Sequence, residues 1–109
     1  MNKSSKKRSK DWKTQAYTMI LFVVSDGSNS RRALENLNRL CGQYLPGRHR
    51  IEIVDVMKDF QAALDHNILL TPSVVITDPS PRITIHGDLS DPQRFINALG
   101  LDKENDDAE

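Results

Sequence analysis

Residues 51–91 read IEIVDVMKDFQAALDHNILLTPSVVITDPSPRITIHGDLSD, and no other stretch limits the fold as tightly. The opening run IEIVDV has the length and β-branched content of a buried strand. Phe60, Ala63, Leu64 and Ile68 follow at helical spacing and trace a short helix. Thr71-Pro72 then leads into a second β-rich run, SVVIT. A proline at a strand entry can carry a cis bond, which costs ~0.5–1 kcal/mol at X-Pro and several at other residues. RITIH at 82–86 is a third β-rich run, and Asp78-Pro79-Ser80-Pro81 between the last two is turn chemistry. Those two runs are predicted to pair as a hairpin.

The upstream half supplies the rest of a sheet. Residues 17–24 (YTMILFVV) form a continuous apolar run, as suits a central strand covered on both faces. Residues 25–30 are a loop by composition, with Asn29 or Ser30 placed to cap a helix starting at Arg31. Ala33, Leu34, Leu37, Leu40, Cys41 and Tyr44 give that helix one apolar face, and Arg32, Glu35, Asn36 and Arg39 fall mostly on the other. Leu45-Pro46-Gly47 ends the unit. Strand, helix and strand with no hairpin signal between them imply a right-handed parallel βαβ crossover. At the C-terminal end, Ser90 and Gln93 match a capping box, with Pro92 in the first turn. Phe95, Ile96 and Leu99 supply the last helix's buried face, and Gly100 is placed to terminate it. The order βαβαββα is an α/β, thioredoxin-like topology.

At 109 residues the chain is read as one domain over 16–101, with a basic arm at 1–15 and an acidic tail at 102–109. Net charge is zero but segregated. Residues 1–13 hold six Lys or Arg against Asp11, and residues 102–109 hold five acids against Lys103. The favoured reading of both ends is a solvated segment; contact of the arm with nucleic acid or an acidic partner is the alternative. No run of ~18 apolar residues suggests a membrane span. The polar start argues against a secretory signal, and a single cysteine fits a reducing cytoplasm.

The chemistry-bearing residues argue mostly for absence. A thioredoxin-type redox site needs a cysteine at the start of the first helix, where the helix dipole lowers its pKa. Residues 25–30 contain none, and Cys41 falls on the apolar face at the far end of that helix. Cys41 is therefore read as a small buried hydrophobe, and the chain as a non-enzyme. His49, His66 and His86 lack metal-ligand spacing, and no phosphate loop or hydrolase elbow occurs. No catalytic residue, metal or cofactor is expected. Asp55 ends a strand, with capping of the next helix its expected role. Pro72, Pro79 and Pro81 lie within ten residues. Turn chemistry explains them; a slow switch based on X-Pro isomerisation is the functional alternative.

Several linked segments resemble one known family. Ser30-Arg31-Arg32-Ala33-Leu34, Ile53-Val54-Asp55-Val56-Met57-Lys58, Ile68-Leu69-Leu70-Thr71-Pro72, the Pro79/Pro81 pair and Gly87-Asp88-Leu89-Ser90-Asp91 are similar to the KaiB circadian clock proteins. The resemblance implies a non-enzymatic protein that binds the N-terminal ATPase ring of the hexameric KaiC. It implies two folds, a tetrameric ground state with a refolded C-terminal half and a monomeric thioredoxin-like state that binds KaiC. It places partner contacts at Arg32, Asp55, Lys58, Thr71 and Pro72, and the fold switch at Pro72, Pro79, Pro81, Ala98 and Gly100.

The departures point to a divergent paralogue. The main-clock KaiB carries lysines at the positions of Glu35, Glu52, Asn67 and Ile76, an arginine pair at Ile83 and Thr84, and a small residue at Arg50. These changes are expected to redraw the surface potential, which steers partner choice. They leave binding of KaiA in doubt. In the last helix, Ala98 and Gly100 stand where the clock protein has Gly and Asp, and both favour the helical form. A thioredoxin-like redox protein and a nucleic-acid binder using the arm are the competing functions.

Overall fold

The computed structural model describes residues 16–101; the basic arm and the acidic tail lie outside the described residues. Seven elements follow in the predicted order: β1 (Tyr17–Val23), α1 (Ser28–Tyr44), β2 (His49–Asp55), α2 (Phe60–Asp65), β3 (Ser73–Asp78), β4 (Ile83–His86) and α3 (Pro92–Leu99). One four-stranded sheet runs β2-β1-β3-β4. β1 and β2 are parallel, with Tyr17 opposite His49 and Val23 opposite Asp55. β1 pairs antiparallel with β3, and β3 with β4 from Ser73–His86 to Ile76–Ile83. The crossover and the hairpin are thus as the sequence predicts.

Alternation along β1 divides the core in two. Tyr17, Met19 and Leu21 face α1 and α3, where they pack with Leu37, Leu40, Val74, Ile76, Ile85 and Phe95 in the main core. Phe22 and Val75 face the other way and meet Ala63 of α2. Cys41 is fully buried, its Sγ 3.8 Å from Met19 Sδ, and burial pushes its thiol up to about 12. A thiol held so far above neutral pH is not a nucleophile.

Four local expectations need correction. β2 is an edge strand, with Ile51 and Val54 half-buried and Ile53 exposed. Its β-branched run reflects strand propensity rather than deep burial. α1 begins at Ser28 after an extended Gly27, with no side-chain cap. The buried Ser30 hydroxyl instead accepts from Val24 N–H at 3.0 Å, closing the loop behind the helix start. Asn36, placed on the polar face by spacing, is buried; its Nδ2 donates to the Asp88 carbonyl at 2.8 Å. α3 is capped by Asp91, which accepts from Gln93 N–H, and not by Ser90. Gly100 ends α3 in the left-handed region, at φ 71, as expected of a terminal glycine. Among the described residues no helix is long and apolar enough to cross a membrane.

Candidate functional site

The strand register brings four loops to one end of the sheet. β1 and β2 finish there, β3 starts there, and β4 finishes there, because the first pair is parallel and the other two are antiparallel. All five expected partner residues follow from this. Arg32 lies in the first turns of α1, Asp55 and Lys58 follow β2, and Thr71-Pro72 precedes β3.

Asp55 organises its loop instead of capping a helix. Its carboxylate accepts from the Ser25 hydroxyl, which ties the ends of β1 and β2 together. It also accepts from Met57 N–H at 2.9 Å, and its carbonyl accepts from Lys58 and Asp59 N–H, each at 2.9 Å. The cap of α2 is Asp59, whose side chain accepts from Ala62 N–H at 3.1 Å. This corrects the expected capping role of Asp55. Its turn holds Met57 and Lys58 outward, both exposed.

On the other side, Pro72 is buried and Thr71 exposed. The Pro72 carbonyl accepts from Gly87 N–H at 2.8 Å, joining the β3 entry to the β4 exit. The bonds before Pro72, Pro79 and Pro81 are cis. Ser73 Oγ donates to the Leu70 carbonyl at 2.7 Å and lies 2.8 Å from His86 Nδ1. With the hydroxyl hydrogen given to Leu70, His86 must donate from Nδ1. Arg32 bonds Asn29 Oδ1 at 2.9 Å and pairs with Asp88 at 3.4 Å. Ser90, with Arg32 adding, holds the Asp88 carboxyl below the usual aspartate range. Together with Asn36, these contacts fix the loop in which Leu89 turns at φ 63 and buries its side chain.

Sequence periodicity missed the most distinctive feature of this region. Met57, Phe60, Leu64, Leu69 and Leu70 are exposed large hydrophobics, with Phe60 at 65% and Leu69 at 88%. Phe60, Ala63 and Leu64 trace the helix as expected from their spacing, but of α2 only Ala63 is buried. A six-residue helix has under two turns, so its spacing cannot define a covered face. The apolar Leu69-Leu70 pair directly before Thr71-Pro72 was a signal available in the sequence. These side chains belong to α2 and the loops on either side of it.

The expected switch residues divide between the two ends of the sheet. Pro79, Pro81, Ala98 and Gly100 line one cleft of about 240 Å³ between the β3–β4 turn and the end of α3. Pro72 is at the opposite end of β3, roughly 23 Å from Pro79 at the rise of an extended strand. The departures also divide. Glu35, Arg50, Glu52, Asn67 and Thr84 are exposed, but Ile76 is fully buried and Ile83 half-buried against the main core. Two of the positions named as departures therefore lie in or against the main core and not on the surface. Among the described residues no group of His, Cys, Asp and Glu could hold a metal.

A family model described as the KaiB domain matches residues 20–101. The circadian clock oscillator protein KaiB of a Cyanothece species is 36% identical over 88 residues, covering 81% of this chain and 82% of that protein. The circadian clock protein KaiB3 of a Synechocystis species is 32% identical over 82 residues, covering 75% and 78%. The solution structure of the N-terminal domain of Synechococcus elongatus SasA superposes with a TM-score of 0.65 at 21% identity, covering 80% of this chain and 86% of that one. Mitochondrial thioredoxin 3 of Saccharomyces cerevisiae, oxidised, superposes with a TM-score of 0.63 at 16% identity, covering 88% of each. At such identities the structural likeness speaks for the fold alone, and that fold is thioredoxin-like.

Proposed function

The chain belongs to the KaiB family, and from that premise we propose that it is a non-enzymatic clock regulator that docks on the N-terminal ATPase ring of a KaiC-type hexamer. One observation carries the reading. Four loops converge on one end of the sheet and flank an exposed apolar surface on and around α2. In this reading Lys58, Thr71 and Arg32 meet the partner, and Asp55 and Pro72 position the loops that present them. Met57, Phe60, Leu64, Leu69 and Leu70 supply the apolar contact area. Such an anchor cluster inside a polar rim is how interfaces concentrate their energy.

The binding-competent form is the thioredoxin-like monomer, in equilibrium with a tetramer whose C-terminal half is packed differently. Ile76 supports a lean toward the monomer, because a lysine at this buried position would have to be desolvated without a partner. The competing redox function lacks a thiol at the start of α1. The acidic or neutral replacements at Glu35, Glu52 and Asn67 restrict the proposal to a KaiC-type ring and do not extend it to KaiA.

Size-exclusion chromatography of the full chain mixed with a KaiC-type hexamer, sampled over hours, tests the proposal. Co-elution that builds slowly is expected, since a minor competent state lowers the apparent affinity by its population. Absence of any complex with every KaiC homologue of the host would overturn it.

A further inference from the structure

The two edges of the sheet are finished differently. β4 is four residues long and is entered from the turn that holds Pro79 and Pro81, which blunts it. β2 is seven residues long, and no described strand pairs with its outer side. Val56 N–H donates to the Val23 carbonyl at 2.9 Å, and the Arg48 carbonyl accepts from Tyr17 N–H at 2.8 Å. Backbone groups alternate sides along a strand, so Arg50, Glu52 and Val54 also turn theirs toward β1. His49, Ile51 and Ile53 therefore turn their N–H and carbonyl groups outward, a template for another strand.

The side chains make this edge complementary to itself. Arg50 and Glu52 lie on the same face as Val54, the α2 face, and both are exposed. Neither has an ion-pair partner among the described residues. In an antiparallel pairing of two copies centred on Ile51, Ile51 meets its own copy and His49 meets Ile53. Each such pair exchanges both main-chain bonds. Arg50 and Glu52 then face each other twice, at the closer, non-hydrogen-bonded positions where opposite charges attract. Moving the centre to Arg50 sets Arg50 against Arg50 and puts Ile53 opposite Gly47, outside the strand. Moving it to Glu52 sets Glu52 against Glu52. It also puts His49 opposite Asp55, whose carbonyl already accepts from Lys58 and Asp59 N–H. Of the three registers, the one about Ile51 alone satisfies both backbone and charge.

We propose that two copies of the thioredoxin-like form pair through β2, symmetrically about Ile51, with Arg50 of each copy bound to Glu52 of the other. The sheet then runs unbroken through both copies, β4-β3-β1-β2 meeting β2-β1-β3-β4, with both α2 faces on one side. This dimer is distinct from the tetramer described above, because β2 lies outside the C-terminal half that repacks there.

Sedimentation equilibrium of the full chain tests the pairing, and a species of two chains is expected. Arg50→Glu and Glu52→Arg each turn two attractive pairs into two repulsive ones. Each should raise the dimer dissociation constant at least about tenfold, with far-ultraviolet circular dichroism unchanged. The double variant Arg50→Glu/Glu52→Arg restores complementarity and should return the constant to within about threefold of native. Oxidative cross-linking reads the register. Arg50→Cys mixed with Glu52→Cys should join, because opposite non-hydrogen-bonded residues have Cα atoms about 4.5 Å apart, and neither variant alone should. Absence of a two-chain species in the native protein would overturn the proposal. So would single reversals that leave the dimer unchanged, a double variant as weak as the singles, or cross-linking of either cysteine variant to itself.

Discussion

The two faces of the sheet are finished to different degrees. One is covered by α1 and α3 and buries fourteen residues, from Tyr17 to Leu101, in a continuous core. The other is covered by the six-residue α2 and buries three, Phe22, Ala63 and Val75. Among the described residues, the large hydrophobics left exposed belong to the second face's cover and its flanking loops, apart from Ile53 on the edge strand. The contrast separates two demands on one small domain. The α1/α3 face supplies stability. The α2 face keeps side chains in water that a monomer would gain by burying, at ~25 cal/mol per Å². A partner that covers that face recovers the energy as affinity.

Substitutions that differ only in which face they touch should separate the two faces. The largest effect is expected at Phe95, fully buried in the main core, where Phe95→Ala should cost ~3–5 kcal/mol in denaturant unfolding. Phe60→Ala, at an exposed position, should stay within about 0.5 kcal/mol. Equal costs would erase the distinction. Cys41→Ala comes next. Loss of a small buried group should cost ~1 kcal/mol and leave partner binding intact. Its thiol, pushed up to about 12 by burial, should resist alkylation in the native protein at mildly alkaline pH. Rapid native labelling would contradict the packing.

Ala98→Gly should cost α3 about 1 kcal/mol of helix propensity. If α3 sets the balance of forms, the monomer share by sedimentation should fall by roughly fivefold. An unchanged monomer–tetramer ratio would detach α3 from that balance. The smallest effect concerns Asp88. Ser90 and Arg32 hold its folded pKa below the unfolded value, so its contribution is complete above the ordinary aspartate value of 3.8 and is lost as pH falls through the lower folded one. Asp88→Asn should flatten the acid limb of the stability–pH curve below that value. An identical acid limb would show that the Ser90 and Arg32 contacts to the Asp88 carboxylate contribute nothing measurable.

The strands, the parallel crossover, the hairpin and the Gly100 stop were legible because each has a local signal. Continuous β-branched runs, a helical repeat without a tight turn, and a left-handed glycine act over a few residues. The caps were read a few residues off. Asp55 and Asp59 both precede α2, and Ser90 and Asp91 both precede α3, so backbone geometry decided between acceptors that sequence leaves equivalent. The exposure of Phe60 and Leu64 was not legible for a deeper reason. Spacing tells which residues share a face, never whether another element covers it. The same limit hid the edge position of β2, because strand order is a property of the assembled sheet. Of the candidate site, the segments were readable and their convergence was not, since it depends on the mixed register of β1, β2 and β3.

On the function proposed above, the under-covered face around α2 is where the partner docks. Affinity for a KaiC-type ATPase ring, measured for the native chain and for the double variant Phe60→Ser/Leu69→Ser, tests it most directly. Both positions are exposed, so the unfolding midpoint should move little. Losing two anchors at ~1–2 kcal/mol each should weaken binding at least about tenfold, chiefly through a faster off-rate. Native affinity in a double variant of native stability would show that the exposed α2 face is not where the partner docks.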